Sequence, residues 1–219
     1  MPNSTIQDQI RTAMTTGGKL QLNFDQILNT KPSGKLDVYL HKINSSDTVE
    51  VDLNPSGGEA AQVLWLPYKQ GELTTLQPFS IGNVPSNTLF MTYDLSGCKV
   101  FAVNKTTGDE ACGPVWHIDA EITTKEFWPQ ITSDEWVEDW WQPGTQQQVA
   151  YLHRFGQSSN LWDLSPYLEG PPPTTYGDEK VLSAVVGGVV NNSKKIDLYF
   201  QEPKSSWTSL NYTSQKRKS

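Results

Sequence analysis

The sequence predicts an α+β fold, a mixed β-sandwich core flanked by short helices and loops, and three observations carry that expectation. Apolar and polar residues alternate in many short runs, as at Leu20-Leu22-Phe24 and Leu36-Val38-Leu40, the period of a half-buried strand. Turn residues recur between these runs, at Pro32-Ser33-Gly34, Asn54–Gly58 and Pro171-Pro172-Pro173. Helical spacing is confined to a few short windows, so strands dominate and helices flank them.

Taken in order, Ser4-Thr5-Ile6-Gln7 resembles a capping box and opens a short helix with Ile6, Ile10 and Met14 on one face, closed by Thr15–Gly18. Strands are predicted at Lys19–Phe24, around Leu36–Leu40 and at Thr48–Leu53. His41 falls on the polar phase of the second of these and is expected to face solvent. Val63–Pro67 is a denser apolar run of the kind found in central strands, and Phe79–Ile81 is a further short strand. Strands containing Thr92, Lys99–Val103 and His117 follow. Thr123–Ile131 and Ser133–Trp141 read as short helices, the second with Asp134 and Glu135 in its first turn. Gln148–Phe155 returns to strand, where His153 between aromatic neighbours reads as a packing residue. Ser165–Gly177 is loop-like, and Gly187-Gly188 favours strand over helix within Asp178–Val190. Ile196–Gln201 and Trp207–Thr213 complete the set. With no repeat, low-complexity tract or linker, residues 1–219 form one predicted domain.

Composition narrows the function. Lys and Arg total 17 against 24 Asp and Glu, a net charge of -7, so the electrostatic footprint of a nucleic-acid binder is missing. The basic cluster Lys216–Lys218 reads as a frayed tail. No apolar run approaches the roughly 20 residues of a membrane span, and the N-terminus lacks the apolar centre of a classical signal peptide. Two cysteines cannot make a disulfide framework, which fits a reducing cytosol, and with the few histidines they do not make a metal site. The expectations are a monomer with no cofactor and no metal.

The chemistry concentrates in Thr88–Ala120. Cys98 follows Ser96-Gly97, where a glycine permits a sharp turn that exposes the next side chain. On the strand at Pro114–Ala120, Trp116 and Ile118 share one face and His117 and Asp119 the other. A thiol, an imidazole and a group that orients the imidazole are the elements of thiol-nucleophile catalysis. A lone cysteine is as readily a small core residue, and a threonine on a strand needs no functional reason. Spacing alone leaves Cys98, His117 and Thr92 as candidates, with Asp94 and Asp119 as alternative partners for the imidazole.

The run LSGC at Leu95–Cys98 followed by GPVWHIDA at Gly113–Ala120 resembles the Burkholderia lethal factor 1 family of glutamine deamidase toxins. The resemblance extends to MPNS at the start, FDQ at Phe24–Gln26, LWLPYKQGELTTLQP at Leu64–Pro78, SDEWVEDW at Ser133–Trp140, QVAYLHR at Gln148–Arg154, SPYLEG at Ser165–Gly170 and VVGG at Val185–Gly188. It implies that Cys98 is the nucleophile, His117 the base and Thr92 its orienting group. Cytotoxic necrotizing factor catalytic domains and bacterial chemoreceptor deamidases are similar in using a Cys–His pair with a third orienting group. It further implies a toxin made in the bacterial cytoplasm that acts in the host cytosol. There it converts a glutamine of a host protein to glutamate; the implied target is the DEAD-box helicase initiation factor 4A, and the outcome inhibition of translation.

One stretch departs from the family pattern. Val103–Cys112 looks longer than the corresponding loop and adds Cys112, which reads as a bystander. Two rival functions stand beside the deamidase. A Cys–His protease or transglutaminase would share the acyl-enzyme, and an aromatic-rich binding module could use Trp140-Trp141 with Glu138, Asp139 and Gln142 as its contact patch.

Overall fold

The computed structural model describes residues 4–43, 46–106, 113–153, 164–171 and 183–219. Helix α1 (Ile6–Thr16) starts at Thr5, whose side chain accepts a hydrogen bond from the Asp8 N–H, and ends at Gly17 in the left-handed region. The first N–H groups of α1, those of Ile6 and Gln7, donate to the Glu59 carboxylate at 2.7 and 3.1 Å. That places an anion where a helix N-terminus favours one.

Among the described residues the strands form two sheets. The larger has β1 (Gln21–Phe24), β2 (Gly34–Lys42), β3 (Thr48–Asp52), β4 (Glu59–Leu66), β6 (Leu89–Thr92), β11 (Val185–Val190), β12 (Ile196–Gln201) and β13 (Thr208–Leu210), in the order β1-β3-β2-β4-β6-β11-β12-β13. The smaller has β5 (Leu73–Leu76), β7 (Lys99–Asn104), β8 (Val115–Ile118), β9 (Gln146–His153), β10 (Leu168–Glu169) and β14 (Thr213–Arg217), in the order β10-β14-β9-β7-β8-β5. The larger sheet is mixed: β1 and β3 run parallel, as do β4 and β6. This is the α+β sandwich that the sequence predicts.

Three apolar layers hold the sheets in place. Between them pack Leu64, Leu66 and Phe90 of the larger sheet against Val100, Ala102, Val115, Ala150 and Leu152 of the smaller. On the outer face of the larger sheet, Ile10, Ala13 and Met14 of α1 cover Val63, Trp65, Leu89 and Met91. Gly187 makes this approach possible, since a Cβ there would lie 2.3 Å from Met14. On the outer face of the smaller sheet, Phe127, Trp128 and Ile131 of α3 (Thr124–Thr132) and Val137 of α4 (Glu135–Glu138) cover Phe101, Trp116 and Tyr151. Each fully buried aliphatic or aromatic side chain contributes about 1.5–3 kcal/mol. The smaller sheet is therefore buried on both faces, and β6, β7 and β8 have no exposed residue.

Several expectations are corrected. Phe79–Ile81 is not a strand but part of the one-turn helix α2 (Pro78–Gly82), because Pro78 at the first helical position sets the backbone angle for a turn. Lys216 and Arg217 are not a frayed tail. They belong to β14, which pairs with β9 and β10, and Arg217 Nη1 donates to the Trp141 carbonyl at 2.5 Å. His41 lies on the outward phase as predicted and is half-buried there, its Nε2 3.1 Å from Asp52 Oδ1 and 3.0 Å from the Asn54 carbonyl. Trp141 is fully buried in the outer layer, so the tryptophan pair is no exposed contact patch. Strands β5 and β10 were not foreseen. Residue Cys112 and positions 107–112 of the longer loop lie outside the described residues. No helix among the described residues is long and apolar enough to cross a membrane.

Candidate active site

The parallel strands β4 and β6 end together, with Leu66 paired to Thr92, and the chemistry-bearing residues gather at this edge. Thr92 sits at the end of β6 and reaches across to the smaller sheet, where its Oγ1 lies 2.7 Å from His117 Nδ1. The same hydroxyl donates to the Leu66 carbonyl at 2.7 Å. A hydroxyl has one proton, and a carbonyl can only accept. The proton therefore goes to Leu66, and the His117 Nδ1–H donates to Oγ1. This fixes the imidazole tautomer and leaves Nε2 with a bare lone pair. Nε2 is buried and has no hydrogen-bond partner among the described residues.

Cys98 lies in the turn before β7. Gly97 ahead of it has φ of 88°, in the left-handed region, and a Cβ there would sit 3.2 Å from the Ala120 Cβ. Val100 pairs with His117 in the β7–β8 ladder, and Cys98 is two residues upstream on the same face. Cys98 packs with Val100 in the layer between the sheets, the layer across which His117 meets Thr92. Both face the layer between the sheets, where Cys98 is 3% exposed and His117 1%.

Burial dominates the electrostatics. It pushes the Cys98 thiol up to about 11, with Asp119 adding to the rise, while a backbone hydrogen bond from Ala120 and the charge of Lys99 oppose it. Burial also pulls the His117 imidazole down to about 3, against the attraction of Asp119. The resting pair is a neutral thiol beside a neutral imidazole.

The structure adds three residues that sequence reasoning missed or left open. Tyr68 follows Pro67 after β4, and its ring lies 5.5 Å from that of His117. Burial and a hydrogen bond to Asp119 raise its phenol above its ordinary range. Its backbone N–H donates to Asn29 Oδ1 at 3.1 Å, and the preceding carbonyl of Pro67 accepts from Thr74 at 2.6 Å. Asp119 is buried and its carboxylate accepts from the Glu121 N–H at 2.7 Å, while Thr92 contacts the imidazole. Lys99 is fully buried directly after the thiol. An aromatic after the proline that ends a dense central strand is the one sequence signal for Tyr68. Asp94 lies on the exposed rim. Among the described residues no group of three or more His, Cys, Asp or Glu could hold a metal ion.

The sequence model of the Burkholderia lethal factor 1 family matches residues 2–219. The chain belongs to that family. Membership makes this lethal-factor homologue a toxin, and the match spans the strands that carry Thr92, Cys98 and His117. A comparison with the curated proteins gives no match. Within the lethal factor 1 fold, His117 stands on the smaller sheet, Cys98 in the turn that leads into it and Thr92 on the larger, so the site straddles the interface of the sandwich.

Proposed function

We propose that this lethal-factor homologue is a protein-glutamine deamidase with Cys98 as nucleophile, His117 as general base and acid, and Thr92 as the group that orients the imidazole. The observation that carries the reading is the Thr92–His117 hydrogen bond, because it leaves Nε2 a free acceptor on the sheet face shared with Cys98.

The reaction runs in two halves. The Cys98 sulfur attacks the side-chain amide carbon of a glutamine as its proton passes to His117 Nε2. With the thiol held up at about 11 and the imidazole down at about 3, proton transfer accompanies C–S bond formation rather than preceding it. The amide oxygen takes the negative charge, and this reading assigns the Cys98 backbone N–H, after the Gly97 turn, as its donor. The C–N bond then breaks, the imidazolium gives its proton to the departing ammonia, and a thioester remains. A water loses a proton to Nε2 and attacks the thioester; the C–S bond breaks, the proton returns to sulfur, and glutamate is released. The target exchanges a neutral amide for a negative charge, which is costly wherever the amide was buried and hydrogen-bonded.

Burial favours this reaction over peptide-bond cleavage. A glutamine side chain is thin and unbranched and can enter a recess whose nucleophile is 3% exposed, whereas a protease must seat an extended main chain. The host target is the initiation factor 4A helicase, and the consequence is a block of translation in the host cytosol.

Peptide mass spectrometry of purified initiation factor 4A after incubation with the wild type and with Cys98→Ser tests the reading. One glutamine converted to glutamate by the wild type only is the expected result. Cleaved peptides would indicate a protease, and incorporated amine a transglutaminase. No conversion there or in host lysate would overturn the deamidase reading and return the aromatic-rich binding module.

A further inference from the structure

We infer that Lys99 is a positioning residue for the thiol: its buried ammonium pins the Asp119–Ile122 turn and thereby holds Ala120 against the Gly97–Cys98 turn. The inference rests on Cys98 being the nucleophile of the reaction proposed above.

Lys99 opens β7, and alternation sends its side chain to the face opposite Cys98, where it is 0% exposed. Burying an ammonium costs several kcal/mol unless its hydrogen bonds are replaced. Here Nζ donates to the carbonyls of Asp119 at 2.8 Å, Ala120 at 3.2 Å and Ile122 at 2.7 Å. Three N–H groups meet three convergent acceptors, all from one turn. The turn itself crosses the edge of the smaller sheet. Ala120 packs against the layer between the sheets, and Ile122 against the outer aromatic layer. Lys99 grips the turn from the outer side, and Ala120 sits on the inner side, where a Cβ at Gly97 would lie 3.2 Å from its own.

Three neighbouring groups favour its charged form. Cys98 and Asp119 lie beside it, Glu126 faces it from the first turn of α3, and His153 is its register partner on β9. Burial brings the ammonium down to about 7 against the upward pull of Cys98, Asp119 and Glu126. The Lys99 charge and the Ala120 N–H both act to lower the thiol.

The test is the pH profile of Cys98 alkylation by iodoacetamide, read by mass spectrometry on the Cys98 peptide so that Cys112 does not contribute. In Lys99→Met the alkylation midpoint is expected to rise by about one pH unit, and reactivity below the midpoint to fall roughly tenfold. kcat for deamidation should fall with KM little changed. Lys99→Arg keeps the charge but its planar fork cannot converge on three carbonyls, so a smaller rise is expected. A folded Lys99→Met with an unmoved midpoint, whatever its melting temperature, overturns the inference. Should Lys99→Met fail to fold, an unmoved midpoint in Lys99→Arg overturns it instead. Alkylation needs no glutamine substrate, so a shifted midpoint alongside absent deamidation would separate failure of the proposed function from failure of this inference.

Discussion

The Thr92 hydroxyl gives its one proton to the Leu66 carbonyl and takes the proton of His117 Nδ1, so a single oxygen at the end of one sheet dictates the tautomer of a base on the other. Thr92→Val keeps the shape and removes both bonds. Turnover is expected to fall on the order of 10²–10⁴-fold, the share general acid–base catalysis normally supplies. Stability should drop by about 1–3 kcal/mol, because a buried acceptor and a buried donor are left unpaired. Thr92→Ser restores the hydroxyl and should recover most of both. Steady-state deamidation and urea denaturation read the two effects separately.

Acid sensitivity should follow from two buried imidazoles. Burial holds His117 and His153 down at about 3 in the fold against an ordinary 6.5. Between those values the unfolded chain binds protons that the native state lacks. Their contribution is complete above 6.5 and is lost as pH falls through the window, by about 1.4 kcal/mol per pH unit for each imidazole. His117→Gln removes one of the two titrations. Denaturation curves taken at successive pH values from neutral downward should show about half the wild-type slope over this window.

Gly97→Ala should disable the site while leaving the sandwich standing. A φ of 88° costs an L-residue about 1–2 kcal/mol, and the new methyl would press on Ala120 from 3.2 Å. Ala120 packs into the same inter-sheet layer as Cys98. Far-ultraviolet circular dichroism is expected to stay unchanged, with alkylation of Cys98 slowed and turnover reduced on the order of a hundredfold.

Tyr68→Phe keeps the ring beside His117 and deletes the hydroxyl that Asp119 acts on. With the carboxylate less neutralised, its field on the thiol strengthens. The Cys98 alkylation midpoint is therefore expected to move up, opposite to the effect of Asp119→Asn.

How far the sequence could be read depended on whether local pattern carried the information. Alternation separated Trp116 and Ile118 from His117, and they do lie on opposite faces of β8. It did not foresee that both faces are covered, because a sheet clad by a second sheet and by helices buries polar and apolar phases alike. β14 escaped because its sequence, Thr213–Arg217, is polar and is held by pairing with β9, with Gln215 its buried member. α1 was legible because Thr5, Gly17 and the spacing of Ile10 and Met14 are local signals. Lys99 was not, since its partners are backbone carbonyls 20 or more positions away that no spacing rule reaches. Tyr68 had a weak signal only, as its meaning lies in the ring and carboxylate it meets across the sandwich.

The straddling of two sheets by Thr92, Cys98 and His117 also orders the folding of this toxin. Neither sheet holds a complete set, so the base gains its tautomer only when the sheets dock, and chemistry arrives with the last long-range contacts rather than with secondary structure. A chain unfolded for passage through a narrow conduit would be chemically inert throughout transit and armed on refolding. In a refolding time course, strand content measured by circular dichroism should therefore lead, and deamidation should recover with the slowest, sheet-docking phase.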